Sequence, residues 1–271
     1  MSSEKESAAD NMKSEPTSSS ARRVRLKILR QDSRELTDTR RWETFSVEWL
    51  PQMNINSCLE QIRRAPHTTD GKLVSPVAWE AACLEEVCGS CTMLVNGRVR
   101  QACSTLVDSF AKDDEIVLEP LTKFPLERDL VVDRSRMFDS LKQVKAWVTL
   151  DGTQALGPGP RETQGDQEVR YALSRCMSCG SCLEACPQYA EDNAFIGAAA
   201  ISQARLFNKH ASGKADRVER LESLMGAGGV ADCGKAQVCV EVCPKEIPLV
   251  DSIAEVARDT TKHLIFGWLL K

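Results

Sequence analysis

Eleven of the twelve cysteines in this 271-residue chain are gathered into three short runs, and any fold it adopts must bend around them. The first run is Cys83-x4-Cys88-x2-Cys91, with Cys103 following; the second is Cys176-x2-Cys179-x2-Cys182-x3-Cys186-Pro187; the third is Cys233-x5-Cys239-x3-Cys243-Pro244. Cysteines bunched this closely do not pair within a run. The N-terminus has no apolar core of the secretory kind, so disulfides are not expected and the compartment reads as reducing. Thiolate is the soft ligand that iron prefers, and a cluster needs several converging from one loop. The first spacing is that of a plant-type 2Fe-2S site and the second that of the bacterial cubane run. Zinc also takes C-x2-C pairs, but an x4–x2 triple with a distal fourth cysteine favours iron.

Laid over the second run, the third reads C-x-x-A-x-x-C-x-x-x-C-P, with Ala236 where a cysteine is expected. A cubane corner without a thiolate holds its iron poorly, which predicts a 3Fe-4S centre. In two-cluster ferredoxins the fourth cysteine of each run ligates the other cluster. That rule assigns Cys176, Cys179, Cys182 and Cys243 to a 4Fe-4S cluster and leaves Cys186, Cys233 and Cys239 for the 3Fe-4S one. With Cys83, Cys88, Cys91 and Cys103 on a 2Fe-2S cluster, the chain encodes three one-electron centres and hence a relay.

The rest of the chain divides in two. Residues 1–20 are polar and Ser-rich without periodicity, a disordered tail by composition. Val24, Leu26 and Ile28 share one strand face, and Phe45, Val47 and Trp49 another. Ile55, Leu59 and Ile62 recur at helical spacing behind Asn54 or Asn56 as N-cap. Thr92–Val95 and Arg98–Cys103 flank Asn96-Gly97, a type I′ hairpin signal, and Glu115–Glu119 reads as a last strand. Beyond Phe124-Pro125 the pattern turns helical: Leu130–Trp147, Gln167–Arg175, Ala198–Phe207, Val218–Met225 and Leu249–Lys262, with a loop over Gly152–Gly165. The expected fold is α+β: an N-terminal β-grasp, plant-type ferredoxin-like domain over residues 21–125, then a helical domain over 126–271 with two bacterial-ferredoxin-like cluster loops.

The excess of acid, 39 Asp and Glu against 35 Lys and Arg, gives no sign of nucleic-acid binding. No run approaches the ~20 apolar residues of a membrane span, so any membrane attachment is expected through partners. The apolar end His263–Leu270 suits packing or a docking surface. Cys58 lies on the Asn54–Arg64 helix and is expected in the core. His67, His210 and His263 have no ligand spacing and read as solvated or capping residues. Gly226–Gly229 is a turn, since no lysine–serine pair follows it. No acid–base pair or nucleophile constellation outside the clusters is visible, so no catalytic residue is assigned.

In this motif order the chain resembles the iron–sulfur subunit of succinate dehydrogenase and fumarate reductase, over roughly Arg22 to Thr260. The resemblance implies a subunit bridging a flavoprotein with covalent FAD to a membrane anchor that often carries haem b. Electrons would enter near Cys83–Cys103 and leave from the 3Fe-4S centre to quinone. It also implies a peripheral place on the cytoplasmic face of a bacterial inner membrane. Ubiquinone-linked members carry tryptophans shortly after the first cubane Cys-Pro and a histidine after the first cysteine of the next run. Here those stretches read Pro187-Gln188-Tyr189-Ala190 and Cys233-Gly234. Ser202–Asn208 and Gly229–Cys233 are more similar to menaquinone-linked members, which leaves Gln188, Tyr189 and Lys245 as candidate quinone-lining residues. Two other readings stand beside succinate oxidation: a fumarate reductase running in reverse and a free ferredoxin-like carrier. A structural zinc protein is the rival that metal analysis separates.

Overall fold

The computed structural model describes residues 22–111, 114–149 and 161–267. The expected tail over 1–20, most of the loop over 152–165 and the last residues of the apolar end lie outside these ranges.

The first half is a five-stranded sheet with one helix packed on it. β1 (Arg23–Arg30) pairs antiparallel with β2 (Arg41–Glu48), setting Leu26 opposite Phe45 and Val24 opposite Val47. After α1 (Ile55–Arg64) come β3 (Thr92–Val95), β4 (Arg98–Gln101) and β5 (Glu115–Glu119). The order is β2-β1-β5-β3-β4, with β1 and β5 parallel, which is a β-grasp. Ile55, Cys58, Leu59 and Ile62 form the buried stripe of α1 and close the core over Leu26, Ile28, Ile116 and Leu118. Of the two asparagines, Asn54 is the cap: its Oδ1 accepts from Ser57 N at 2.9 Å. Its Nδ2 donates to the Cys103 carbonyl at 2.8 Å, so the cap also ties α1 to the cysteine site. Asn96 and Gly97 have φ of 50° and 71°, the two positive values of a type I′ turn. β4 stops at Gln101, so Cys103 sits in the turn beyond the strand.

The second half begins with a departure. Leu130–Trp147 was expected to be helical throughout, but its start is a hairpin of β6 (Leu126–Arg128) and β7 (Val131–Val132). The cause is Asp129, whose left-handed φ of 49° makes the turn and whose buried carboxylate accepts from Arg30 Nε at 2.8 Å. Only Ser135–Gln143 becomes helix, α2, and the left-handed Lys145 follows its end. Thr163 then caps α3 (Gln164–Ser174), accepting from Asp166 N at 3.1 Å and starting that helix earlier than expected. There follow α4 (Ser181–Glu184), α5 (Gly197–Lys209), α6 (Arg217–Met225), α7 (Val238–Glu241) and α8 (Leu249–Phe266). α5 is the hub, buried along Ala198–Ile201 and packed against α2, α3, α4, α6 and α8.

The two cores interlock. Leu121 and Phe124 belong to the second, Leu130 returns to the first, and Val132 and Met137 are in the second again. The Gly226–Gly229 segment is a turn leading into a short 3-10 stretch at Val230–Asp232.

Candidate metal centres

The first cysteine loop leaves regular structure and uses left-handed residues at Leu84, Glu86 and Gly89 to wrap inward. Backbone N–H groups of Glu85, Val87 and Cys88 point at Cys83 Sγ at 3.4, 3.2 and 3.3 Å. Glu86 N donates to Cys103 Sγ at 3.3 Å, and Ser90 N to Cys88 Sγ at 3.5 Å. Such donors stabilise sulfur that carries negative charge, which suits a cluster ligand set. The Ser90 hydroxyl and N–H, with Cys83 behind them, hold the Cys88 thiol down to about 6. Burial pushes Cys91 up to about 11, with Cys103 close beside it.

The second and third runs fold as a matched pair. Ser178 and Lys235 are left-handed, as are Gly180 and Gln237 two residues later in each run. Each pair is followed by a single helical turn, α4 or α7, and these two turns pack against one another. In this correspondence Ala236 stands where Cys179 stands in the second run.

One cavity is lined by Cys176, Cys179, Cys182 and Cys243. A larger one, about 540 Å³, is lined by Cys186, Cys233 and Cys239 together with Ala236. The crossed ligand sets thus surround separate spaces. Electrostatics groups them mostly the same way, although the buried Cys182, raised by burial and by Cys179, Cys176 and Cys243, also feels Cys239 of the other set. Burial raises Cys176 and Cys179, and the nearby Cys243 raises both further. Burial raises Cys239 too, with Cys186 and Cys233 as its neighbours in charge. Buried, mutually repelling thiols stay protonated until a cation compensates them, and iron supplies that compensation when bound. Among the described residues no group of His, Cys, Asp or Glu is arranged around a single-ion site. The fit to clusters therefore rests on the cavities and the loop geometry.

The three candidate quinone residues do not share a wall. Gln188 lines the larger cavity, with its amide over Gly234, where a Cβ would meet Nε2 at 2.5 Å. Lys245 lines the other cavity, beside Cys243. Tyr189 is fully buried between Phe124, at 5.8 Å between ring centroids, and the Arg136 guanidinium, 4.3 Å from its ring. Its aromatic bulk serves the core, so it is withdrawn from the cavity wall. Cys58 is wholly buried, and burial pushes its thiol up to about 12, as befits an inert core residue. His210 ends α5, its Nδ1 accepting from Ser212 N and Gly213 N at 3.3 and 3.2 Å, a capping role.

Three side chains that tie the halves together escaped the sequence reading. Glu184 accepts from Thr122 N and Oγ1 and from Lys123 N at 2.6–3.0 Å. Gln101 Nε2 donates to Ser181 Oγ at 3.1 Å. Arg134 Nη1 and Nη2 donate to the carbonyls of Gly89 and Ser90 at 2.8 and 2.5 Å. Their partners lie about forty to eighty residues away, and nothing local signals such pairings.

The comparisons agree with this geometry. A model of the 2Fe-2S iron-sulfur cluster binding domain matches residues 25–139, and one of the 4Fe-4S dicluster domain matches residues 172–247. The chain is 50% identical to the succinate dehydrogenase iron-sulfur subunit of Bacillus subtilis over 88% of its length and 92% of that protein. It belongs to the iron–sulfur subunit family of succinate dehydrogenase and fumarate reductase. Within that family it is also 30% identical to the fumarate reductase iron-sulfur subunit of Wolinella succinogenes, over 88% of this chain and 97% of the relative. A chain of the Mycobacterium smegmatis Sdh1 complex in the apo form superposes with a TM-score of 0.75. It covers 90% of this chain and 97% of that one at 23% identity, which shows the shared fold. As a member of this family the chain is an electron-transfer subunit of an oxidoreductase complex and holds 2Fe-2S and 4Fe-4S clusters.

Proposed function

We propose that this subunit works in succinate oxidation, taking electrons from an FAD-bearing flavoprotein partner and delivering them to membrane menaquinone through a third, 3Fe-4S centre. Bound clusters supply one-electron steps whose potentials follow cluster type, charge and hydrogen bonding. The observation that carries the reading is the cavity ringed by Cys186, Cys233 and Cys239, whose fourth corner is Ala236. Its further wall is apolar, from Val250, Ile253 and Ala257 of α8, and Gln188 and Gln237 bring amides to it. A space of about 540 Å³ with an apolar wall and polar groups from Gln188, Lys235, Gln237, Thr260 and Thr261 has the size and mixed lining of a small-molecule site. The 50% identity to a succinate dehydrogenase subunit, against 30% for the fumarate reductase subunit of Wolinella, supports the succinate direction.

No described helix is long and apolar enough to cross a membrane. α8 nevertheless ends in the exposed side chains Leu264, Ile265 and Phe266. In this proposal an anchor subunit, with or without haem b, covers that end and holds the chain peripherally on the cytoplasmic face of a bacterial membrane. Electron paramagnetic resonance of the cluster-loaded chain is the test. An oxidised 3Fe-4S signal is expected beside the two reduced-state signals, and its absence in fully loaded protein would sink the third centre. Turnover of the complex with menaquinone and ubiquinone analogues tests the acceptor, where menaquinone preference is expected.

A further inference from the structure

We infer that the contact between Gly89 and Cys179 is the junction across which electrons pass between the first and second clusters, and that Arg134 positions it. The inference rests on the cluster reading above. Gly89 has φ of +72°, and a Cβ there would lie 2.6 Å from Cys179 Cα and 3.1 Å from Cys179 N. The backbone between Cys88 and Cys91 therefore lies directly on the backbone of a ligand of the other set, with no side chain interposed. Here glycine is required by close approach as much as by its left-handed conformation.

Two fasteners hold this contact. On one side Gln101 Nε2 donates to Ser181 Oγ at 3.1 Å, and that hydroxyl lies 3.3 Å from Cys179 Sγ. On the other, the Arg134 fork spans the carbonyls of Gly89 and Ser90. The planar guanidinium fixes two acceptors at once, which a lysine ammonium on a flexible stem does not. Its side chain is 12% exposed, and its acidic neighbour Glu80, at 3.3 Å, is half exposed, so the positive charge is only partly offset. Arg134 Nε is buried without a partner among the described residues. A desolvated donor in that condition is costly unless an acceptor from outside the chain meets it, and cluster sulfur has that chemistry.

With clusters held by Cys83, Cys88, Cys91 and Cys103 and by Cys176, Cys179, Cys182 and Cys243, each passage would move one electron from one centre to the other, oxidising the first and reducing the second. No bond forms or breaks. A partly buried positive charge beside the first loop favours the reduced, more negative state of that centre and so raises its potential.

The experiment uses the full chain, purified anaerobically with its clusters, with iron content measured on every sample. Redox titration followed by electron paramagnetic resonance gives the 2Fe-2S potential and the magnetic broadening between the reduced 2Fe-2S and 4Fe-4S centres. Arg134→Met is expected to lower the potential and weaken the broadening. Arg134→Lys is expected to keep the potential near the parental value while still weakening the broadening, and it serves if the methionine variant loads poorly. Gly89→Ala should weaken the broadening by forcing the loops apart. Iron-loaded Arg134 variants with parental potential and parental broadening would overturn the role of Arg134, whatever their stability. A parental chain devoid of iron would instead overturn the cluster reading itself.

Discussion

At the scale of single residues, two buried polar groups behave oppositely. Arg30 is fully buried and each guanidinium nitrogen has a partner: Nε on Asp129, Nη1 on Glu43, Nη2 on Ser75 and Pro76. Asp129 in turn accepts from the backbone N–H of Gln31 and Ala78. Removing one member of such a pair strands a buried charge and costs about 3–5 kcal/mol. Asp129→Asn should accordingly lower the urea midpoint of the loaded chain sharply, and an unchanged midpoint would show that the pair is solvated. Tyr189 presents the reverse case, since its buried hydroxyl has no partner among the described residues. Tyr189→Phe removes an unpaired hydroxyl while keeping the ring under Arg136. It should leave stability equal or raise it by up to about 1 kcal/mol, and should leave quinone reduction by the complex unchanged. A marked loss of quinone turnover would return Tyr189 to the site. Ala236→Cys supplies the missing thiolate and is expected to convert the 3Fe-4S signal to a 4Fe-4S one at lower potential. Persistence of the 3Fe-4S signal in that variant would break the correspondence with Cys179.

Among the elements, periodicity made β1, β2, α1, β3, β5, α5, α6 and α8 legible, because each buries one face and the spacing records it. The hairpin β6–β7 was not legible. Its turn depends on Asp129 reaching Arg30, 99 residues away, and a long apolar run such as Leu130–Trp147 reads as helix when that partner is invisible. α4 and α7 were missed for another reason: each is one turn long, too short to show a period. The cysteine spacing located the loops that contain them but not the turns themselves, and the left-handed pairs preceding them could have been suspected only from the glycine at Gly180. The packing of α8 on α5 carries a pH dependence. Burial works against the Glu255 carboxylate, but Lys209 and Arg205 of α5 outweigh it and hold its pKa below the usual range. A depressed carboxyl contributes stability that is present above its unfolded pKa and lost as pH falls through its folded one. Amide exchange along α8 should therefore quicken below about pH 4, and Glu255→Gln should flatten that dependence; equal pH profiles in both proteins would remove Glu255 as the cause.

For the whole molecule, the cysteine runs and their crossed grouping around two cavities were readable because metal chemistry demands fixed spacings, whereas the walls around them were not. Gln188 and Lys245 are neighbours of matched Cys-Pro pairs, yet they face different cavities, because the two runs approach each other in pseudo-symmetric fashion rather than side by side. The whole chain should carry about nine irons when full. Chelating them should raise amide exchange in the three cysteine loops well before either hydrophobic core opens, because only the loops depend on iron to offset thiolate repulsion. Simultaneous loss of the cores would mean that the clusters hold up the entire fold.

The interlocked connector has a consequence for how the chain is born. A ribosome that has released residues through Glu119 has delivered every strand of the β-grasp sheet, yet not Leu130, which completes its core, nor Asp129, the counter-ion of Arg30. The nascent first half can hold Arg30 with Glu43, Ser75 and Pro76 but leaves its Nε without Asp129 until the connector emerges, while Leu121 and Phe124 await a core most of whose members are still to be made. The same stitch limits genetic shuffling. A recombination breakpoint between Glu119 and Asp129 would hand one parent's Arg30 to the other parent's Asp129, so the two halves are inherited as a single garment rather than as interchangeable modules.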